Sequence, residues 1–126
     1  MVCLDSDIVI DFLRNKKEVI KKILELENKE KLSTTSINIF ELLVGFLELN
    51  KIEESYKFVK NLKILSFDFE AGEKASSIFK ELKNKGTLLD PLDLFIASIA
   101  ITNNESLLTR NTKHFERVPG LRLEKI

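Results

Sequence analysis

The sequence predicts an α/β protein in which a central, mostly parallel sheet lies between helices on both of its faces. Short apolar runs alternate with longer segments in which apolar residues recur at helical spacing. Strands that are separated by helices are joined by right-handed crossovers and therefore run parallel. The 126 residues contain no Pro-, Ser- or Gly-rich linker and no repeat of fixed period, so we expect a single three-layer domain over residues 1–126.

Each predicted element rests on a local pattern. The strands are short apolar or β-branched runs at residues 2–4, 32–35, 64–67, 106–109 and 121–123. The helices between them cover about residues 8–13, 18–30, 37–47, 52–62, 69–85 and 91–101. The predicted N-caps are Ser6 or Asp7, Ser36, Asp68 and Asp90, and Gly86 ends the fifth helix. That helix is expected to turn inward the residues Ala71, Ala75, Ile78, Phe79 and Leu82.

Composition limits the classes of function. Lys plus Arg equals Asp plus Glu at 20 each, so there is no global basic field and any contact with nucleic acid must be local. The single Cys3 excludes an internal disulfide, lies in an apolar run and is expected to be a buried hydrophobe in a reducing compartment. The first residues lack the basic flank and apolar stretch of a signal peptide, and no run reaches membrane-spanning length. We therefore expect a soluble, cytoplasmic protein.

Three acidic residues occupy positions where a leucine would be ordinary. Asp5 closes the first strand, Glu41 lies within an apolar helix, and Asp93 lies in the first turn of a later apolar helix. A buried charge is costly unless it is paired or metal-bound. In open α/β sheets ligands bind beyond the carboxyl ends of the strands. These three residues, with Asn111 after the fourth strand, all map to that edge.

Each carboxylate also has a structural explanation. Asp5 could simply cap the first helix, and for Asp90, which precedes Pro91, we favour the capping role. Asp93 shares its helix face with Ile96, Ala97 and Ala100, so it is expected to point inward, which a cap alone would not require. Glu41 has no basic residue at i±3 or i±4, although a buried ion pair with a distant Lys or Arg remains open. The convergence of three acids on one edge favours the functional interpretation.

The donor types indicate a hard cation. Carboxylate oxygens suit Mg²⁺ or Mn²⁺, whereas zinc would need His or Cys, for which His114 and Cys3 are the only candidates. A Mg²⁺ ion held by a few carboxylates keeps water ligands, activates one of them and offsets charge at a scissile phosphate. The reaction class that this pattern predicts is metal-assisted phosphodiester hydrolysis.

Four segments resemble the PIN-domain ribonucleases, in particular the VapC toxins of toxin–antitoxin pairs. Residues 4–12 are similar to the opening pattern LDTNVLID, and residues 34–45 to TxxxxxELxxG around the second acid. Residues 91–97 are similar to PxDLxIA, and residues 108–121 to the ending LVTRNxxxFxRVPGL. The four segments occur in order and at suitable spacing along the whole chain. The resemblance therefore implies a PIN-like three-layer sandwich.

The resemblance also implies a function and a site. It implies that Asp5, Glu41 and Asp93 are the catalytic metal ligands of an endoribonuclease dependent on Mg²⁺ or Mn²⁺. It further implies a homodimer, and inhibition by a small VapB-type antitoxin whose tail covers the site. Additional or supporting site residues are expected among Ser6, Asp7, Asp90, Thr109, Asn111 and His114.

Two positions depart from the family pattern. Asp7 stands where the family commonly has asparagine, which would add a carboxylate to the opening loop. His114 stands where the family often has Asp or Glu just before the phenylalanine of the closing motif. A neutral imidazole there would remove one negative charge from the site and could weaken metal binding. Asp90 or Asn111 would then take over part of that role.

Recognition of RNA and of a second copy can be predicted only coarsely. Arg14, Arg110 and Arg117 lie near the proposed edge and could hold phosphates that flank the cut. The lysine runs are expected to be solvated helix faces, and the phenylalanines to be core or dimer interface. The helix at residues 40–49 and the helix after it carry more apolar positions than one face can bury, which favours a symmetric homodimer.

Two alternative functions remain open from the sequence. One is a catalytically silent PIN-like module that binds RNA or a protein, which is favoured if His114 has disabled the site. The other is a receiver-type domain whose acidic cluster binds Mg²⁺ to accept a phosphoryl group, but the lysine that such a domain needs after a late strand is not evident.

Overall fold

The computed structural model describes residues 1–46 and 50–126, and its centre is a sheet of five strands. All strand pairs in these residues are parallel, in the order β3-β2-β1-β4-β5. The strands are β1 (Val2–Leu4), β2 (Leu32–Thr35), β3 (Lys63–Leu65), β4 (Ser106–Leu108) and β5 (Leu123–Glu124). Leu4 pairs with Leu108 at the carboxyl ends of β1 and β4, so Asp5 and Thr109 leave the sheet side by side.

Helices connect consecutive strands. In the described ranges they are α1 (Ser6–Leu13), α2 (Lys17–Glu27), α3 (Ser36–Gly45), α4 (Ile52–Lys60), α5 (Phe69–Lys85), α6 (Pro91–Thr102) and α7 (Thr112–Phe115). None of these helices is both long enough and apolar enough to cross a membrane.

Alternation along the strands divides the core into two clusters. Val2 and Leu4 of β1 pack with residues of α1 to α4, whereas Cys3 packs with residues of α5, α6 and α7. Leu108 and Leu107 of β4 divide in the same way. Successive side chains of a strand point to opposite faces, so the two clusters lie on the two sides of the sheet. The predicted three-layer α/β sandwich is confirmed, and Cys3 is fully buried as expected.

The structure settles two helix caps. Of the three residues considered for α1, Asp5 is the cap, and Thr35, not the predicted Ser36, caps α3. Both capping residues still have an extended backbone, Asp5 directly after β1 and Thr35 at the end of β2. The side chain of each accepts a hydrogen bond from a backbone N–H at the start of its helix. The predicted caps Asp68 and Asp90 are confirmed, and Gly86 ends α5 in the left-handed conformation at φ 70°.

Several element boundaries differ from those predicted. The third strand lies at Lys63–Leu65 rather than 64–67, and the fifth at Leu123–Glu124 rather than 121–123. The end of β3 is set by its pairing partner. Leu65 pairs with Thr35, which is the last residue of β2. The second helix is Lys17–Glu27, and a short helix, α7, lies in the segment between the last two strands. The predicted helix at 37–47 ends at Gly45, and Leu47 lies outside the described residues.

The inward assignment of Phe79 is wrong. Phe79 is 43% exposed, because the buried stripe of α5 is Ala71, Ala75, Ile78 and Leu82, and Phe79 lies beside it. Phe40 on α3 is 62% exposed. Phe46 and Phe115 are buried in the two core clusters as expected. These aromatic residues therefore divide between the core and the surface of the isolated chain.

Candidate active site

Asp5 lies at the centre of the carboxyl edge of the sheet and is 6% exposed. Its Oδ1 accepts hydrogen bonds from the backbone N–H of Ser6 at 2.8 Å and from Nδ2 of Asn38 at 2.9 Å. Its Oδ2 accepts a hydrogen bond from the hydroxyl of Thr109 at 2.7 Å. Donors from α1, α3 and the loop after β4 thus compensate the cost of burying this carboxylate. Asp5 caps α1 and belongs to the acidic site at the same time.

Glu41 joins this network through Ser6 and Asn38. The Ser6 hydroxyl donates to Oε1 of Glu41 at 2.7 Å and accepts from Nδ2 of Asn38 at 2.8 Å. Burial raises the pKa of Glu41 above its ordinary value, the hydrogen bond from Ser6 opposes that shift, and the charge of Asp5 adds to it. No distant ion pair is formed by Glu41 in the described residues, so the alternative of a buried salt bridge is not supported.

Asp93 lies in the first turn of α6, at the carboxyl edge of the sheet. Burial, followed by the charges of Asp5, Asp90 and Glu41, raises its pKa to about 6. Asp93 is partly buried, and the face that it shares with Ile96, Ala97 and Ala100 is fully buried, as predicted. The charge of Asp5 thus acts on both Glu41 and Asp93, and the charge of Glu41 acts on Asp93, so the three acids lie within electrostatic range.

Asp90 and His114 flank Asp93. Oδ1 of Asp90 accepts from the backbone N–H of Leu92 at 2.9 Å, which is the capping role that the sequence favoured. Nδ1 of His114 lies 3.9 Å from Oδ2 of Asp93, and the His114 side chain is half-exposed. The histidine at the unusual position is therefore adjacent to a predicted ligand.

Asp7 faces the loop after β4. Its Oδ2 accepts from the backbone N–H of Arg110 at 3.0 Å, while Oδ1 is buried and has no hydrogen-bond partner among the described residues. Burial, and then the charge of Asp5, raises the pKa of Asp7 to about 6. The carboxylate that replaces the family's asparagine thus lies beside the predicted ligands and adds negative charge to the edge.

The three predicted RNA-binding arginines have different surroundings. Arg14 follows the far end of α1, about 12 Å of helix from Asp5, and its role in phosphate binding stays a prediction. Nη1 of Arg117 donates to the carbonyl oxygen of Leu88 at 3.0 Å, which holds it beside the loop that leads into α6. The guanidinium of Arg110 forms ion pairs with Asp11 and Glu18. Phosphate binding by Arg110 and Arg117 stays a prediction.

Sequence reasoning missed Asn38, which is fully buried and contacts Asp5, Ser6 and Glu41. Its Oδ1 accepts from the backbone N–H and the hydroxyl of Thr35, which completes a capping box at the start of α3. The signal was available, since Thr35-x-x-Asn38 has the spacing of a capping box and Glu41 follows three residues later on the same face.

The carboxylate oxygens at this edge are the type of ligand atom that a hard divalent cation prefers. The edge offers several carboxylate oxygens, the pKa values of Glu41 and Asp93 are raised by burial and by neighbouring carboxylates, and one buried oxygen of Asp7 has no described partner. Within the described ranges, however, no three His, Cys, Asp or Glu side chains are already gathered around one ion position. Asp5 and Glu41 are instead held by protein donors. The residues present therefore suit Mg²⁺ or Mn²⁺ in their chemistry.

Comparisons with known proteins agree with the fold. A family model described as PIN domain matches residues 2–121. The chain is 32% identical over 125 residues to the tRNA(fMet)-specific endonuclease VapC of Salmonella typhimurium, covering 96% of this chain and 94% of that protein. It is 35% identical over 118 residues to ribonuclease VapC1 of Methanocaldococcus jannaschii, covering 93% and 80%.

Solved structures give the same result. The chain superimposes on a chain of VapBC2 from Rickettsia felis, bound to a DNA fragment from its promoter, with a TM-score of 0.87 and 28% identity, covering 100% and 99% of the two chains. DNA-bound VapBC from Salmonella typhimurium gives a TM-score of 0.85 and 31% identity, covering 98% and 96%. The chain therefore belongs to the PIN-domain family and, within that family, to the VapC proteins, which confirms the resemblance seen in the sequence.

Proposed function

We propose that this chain is a metal-dependent endoribonuclease and the toxin of a toxin–antitoxin pair. The observation that carries the proposal is the convergence of Asp5, Glu41 and Asp93 at one edge. Ser6 and Asn38 donate hydrogen bonds to both Asp5 and Glu41. Burial, followed by the charges of Asp5, Asp90 and Glu41, raises the pKa of Asp93. A protein keeps such an arrangement when something positive binds there. The names of the relatives, which include a tRNA endonuclease and ribonucleases, support RNA as the substrate.

Asp5, Glu41 and Asp93 would hold Mg²⁺ or Mn²⁺. The ion, when bound, activates a water molecule and offsets charge on the phosphodiester that is cut. Asn38 and Ser6 orient Asp5 and Glu41 through the hydrogen bonds described above, and Thr109 fixes the other oxygen of Asp5. These donors keep the carboxylates in place against their mutual repulsion before the ion arrives.

A protein partner would bind along apolar surface outside the site. A groove of about 350 Å³ between α3 and α4 is lined mainly by apolar side chains, which are Ile39, Leu43, Phe46, Tyr56, Val59 and Ile64. An amphipathic segment of a VapB-type antitoxin suits such a groove, and an arginine from it would pair with the acidic edge. The solved VapBC assemblies of relatives support a partner of this kind. An RNA substrate favours the cytoplasm as the location of this proposed activity.

A homodimer is the second expected assembly. Phe40 and Val44 on α3 are 62% and 57% exposed, which is unusual for large apolar side chains that lie one turn apart. A second copy would cover them in a symmetric interface. Light scattering at micromolar concentration should give the mass of a dimer, and Phe40→Glu should give a monomer that still folds.

Cleavage of purified RNA tests the proposed function. Wild type should cut total RNA or a tRNA with Mg²⁺ or Mn²⁺, and Ca²⁺ should bind without turnover because it activates water poorly. Asp93→Asn should abolish cleavage while circular dichroism remains unchanged. Activity that is retained by this variant, or that needs Zn²⁺ and does not need Glu41, would contradict the assignment.

Expression in cells tests the toxin role. The wild-type chain alone should arrest growth, and co-expression of its antitoxin should relieve the arrest. Asp5→Asn should be harmless yet still bind that antitoxin, because most of the interface lies outside the site. If both chains are harmless and wild type cuts no RNA, the silent PIN-like binding module becomes the better account.

A further inference from the structure

The loop formed by Thr109, Arg110 and Asn111 is fastened to the first two helices. The Thr109 hydroxyl donates to Asp5, and the backbone N–H of Arg110 donates to Asp7. The backbone N–H of Asn111 donates in turn to the hydroxyl of Thr109 at 3.0 Å. The loop therefore supplies one of the hydrogen bonds that orient the buried carboxylate of Asp5.

The side chain of Arg110 adds a second attachment. Its Nε donates to Oδ2 of Asp11 on α1, and an Nη donates to Oε1 of Glu18 on α2 at 2.9 Å. The guanidinium thus meets carboxylates from both helices that pack below the loop. Pairing with two carboxylates orients the guanidinium and offsets its charge, which makes it a weaker partner for a phosphate than an unpaired arginine would be.

We call the Arg110 guanidinium and its two carboxylate partners the clamp. The hydrogen bond to Asp7 connects this clamp to the edge at which Asp5, Glu41 and Asp93 lie. Asp7 is one turn from Asp11 on α1, so the backbone and the side chain of Arg110 are attached to the same helix. The side chain also reaches across to α2. Together these contacts attach the loop that begins at Thr109, directly after β4, to α1 and α2.

We propose that Arg110 is a positioning residue, which acts through Thr109 to orient Asp5, and that it does not bind RNA phosphates. This inference rests on the proposed nuclease function for its catalytic consequence. Asp11 and Glu18 are part of the same device. They hold the guanidinium, and through it the loop, against α1 and α2.

The two roles of Arg110 predict opposite effects when its partners are removed. If Arg110 positions the loop, Asp11→Asn and Glu18→Gln loosen it and reduce cleavage, as Arg110→Gln does. If Arg110 binds phosphate, the same two variants free the guanidinium and strengthen RNA binding. The direction of the change therefore separates the roles.

Steady-state cleavage of an RNA substrate measures this direction. Arg110→Gln and Asp11→Asn should each lower kcat by about tenfold with KM unchanged. The double variant should be no worse than Arg110→Gln, because the two residues act as one unit. Arg110→Lys should recover part of the activity, since a lysine can still pair with one of the carboxylates. The control is Glu25→Gln, the same chemical change two turns further along the exposed face of α2, and it should have no effect.

A rise in KM for Arg110→Gln, or tighter RNA binding by Asp11→Asn and Glu18→Gln, would overturn the proposal. Amide hydrogen exchange gives a readout that does not need activity. The amides of Arg110 and Asn111 should exchange at least severalfold faster in Arg110→Gln and Asp11→Asn than in wild type or Glu25→Gln. If wild type cuts no RNA but these amides respond, the nuclease function has failed and the clamp stands. If wild type cuts RNA and the amides do not respond, the clamp has failed.

Discussion

Two buried carboxylates, Asp5 and Glu105, lie at opposite ends of the same sheet. Asp5 follows β1 at the carboxyl edge, and Glu105 precedes β4 at the amino edge. They are 6% and 2% exposed, so both lose nearly all contact with water. Burial alone does not distinguish them, and the difference lies in what surrounds each group.

The surroundings of the two carboxylates differ in donors and in neighbouring charge. Asp5 accepts hydrogen bonds on both of its oxygens and has Glu41 and Asp93 nearby. Glu105 accepts a hydrogen bond from the Ser33 hydroxyl at 2.5 Å, and its Oε2 has no partner among the described residues. Close to it lies the thiol of Cys3, whose pKa is raised by burial. A carboxylate becomes a site when others converge on it and solvent can reach them. Among the described residues, the carboxyl edge meets that condition and the amino edge does not.

The largest difference is expected when each acid is replaced by its amide. Asp5→Asn should reduce RNA cleavage by more than about a hundredfold, because it removes a charge from the proposed metal ligands. Glu105→Gln should leave cleavage within a few-fold of wild type. Single-turnover assays on both variants, with folding checked by circular dichroism, make the comparison. Equal loss of activity in the two variants would mean that the edges do not differ in function.

Removal of a hydroxyl donor from the carboxyl edge should give the next largest effect. Thr109→Val takes away the hydrogen bond to Oδ2 of Asp5 and should lower kcat about 10–100-fold, the range typical of residues that orient a ligand. Thr109→Ser keeps the hydroxyl and is the matched control, with kcat close to wild type. A normal kcat in Thr109→Val would show that Ser6 and Asn38 orient Asp5 sufficiently.

The corresponding donor at the amino edge should matter for stability instead. Ser33→Ala leaves the buried Glu105 carboxyl without its described donor and should lower the free energy of unfolding by about 1–3 kcal/mol. Cleavage at a temperature where the variant is folded should be unchanged. Urea unfolding measures the free energy, and the Ser33→Ala/Glu105→Gln double variant separates this hydrogen bond from the loss of packing. A destabilisation that is the same in both backgrounds would count against the bond.

The smallest effect concerns pH and the metal-free protein. The pKa of Asp93 is about 6 in the folded chain against an ordinary value of 3.8, so the folded state holds this proton more tightly. As pH rises through that window the unfolded chain releases the proton first, and the free energy of unfolding therefore falls. Urea unfolding in EDTA from pH 4 to 7 should show a steeper fall for wild type than for Asp93→Asn. Parallel curves would mean that burial and the neighbouring charges do not raise the pKa of Asp93 in the folded chain.

The same unfolding measurements in saturating Mg²⁺ extend the comparison of wild type with Asp93→Asn. Because a cation would favour the charged forms of the carboxylates, it should raise the stability of wild type above pH 6 and leave Asp93→Asn nearly unaffected. The amino edge should not respond, so Glu105→Gln should gain as much from Mg²⁺ as wild type does.

The sequence by itself determined the fold class and the three main acids. Strands with short apolar runs, separated by segments of helical period, allow few arrangements other than a parallel sheet covered on both faces. Asp5, Glu41 and Asp93 stood out because charges inside apolar elements are rare, and the order of strands and helices placed them on one edge. The resemblance to PIN-domain ribonucleases depended on the same local motifs.

Only the tertiary structure decided which polar groups serve these acids. Asn38 reaches Asp5 across 33 positions of sequence, and Arg110 reaches Asp11 across 99, distances over which no periodicity carries information. Arg14 and Arg110 looked equivalent as free arginines, yet one lies at the far end of α1 and the other is held by two carboxylates. Strand ends were misplaced for the same reason, since register depends on a partner. Neighbouring residues determine helix and strand propensity and the local motifs. Hydrogen-bond partners and burial depend instead on which distant segments pack together.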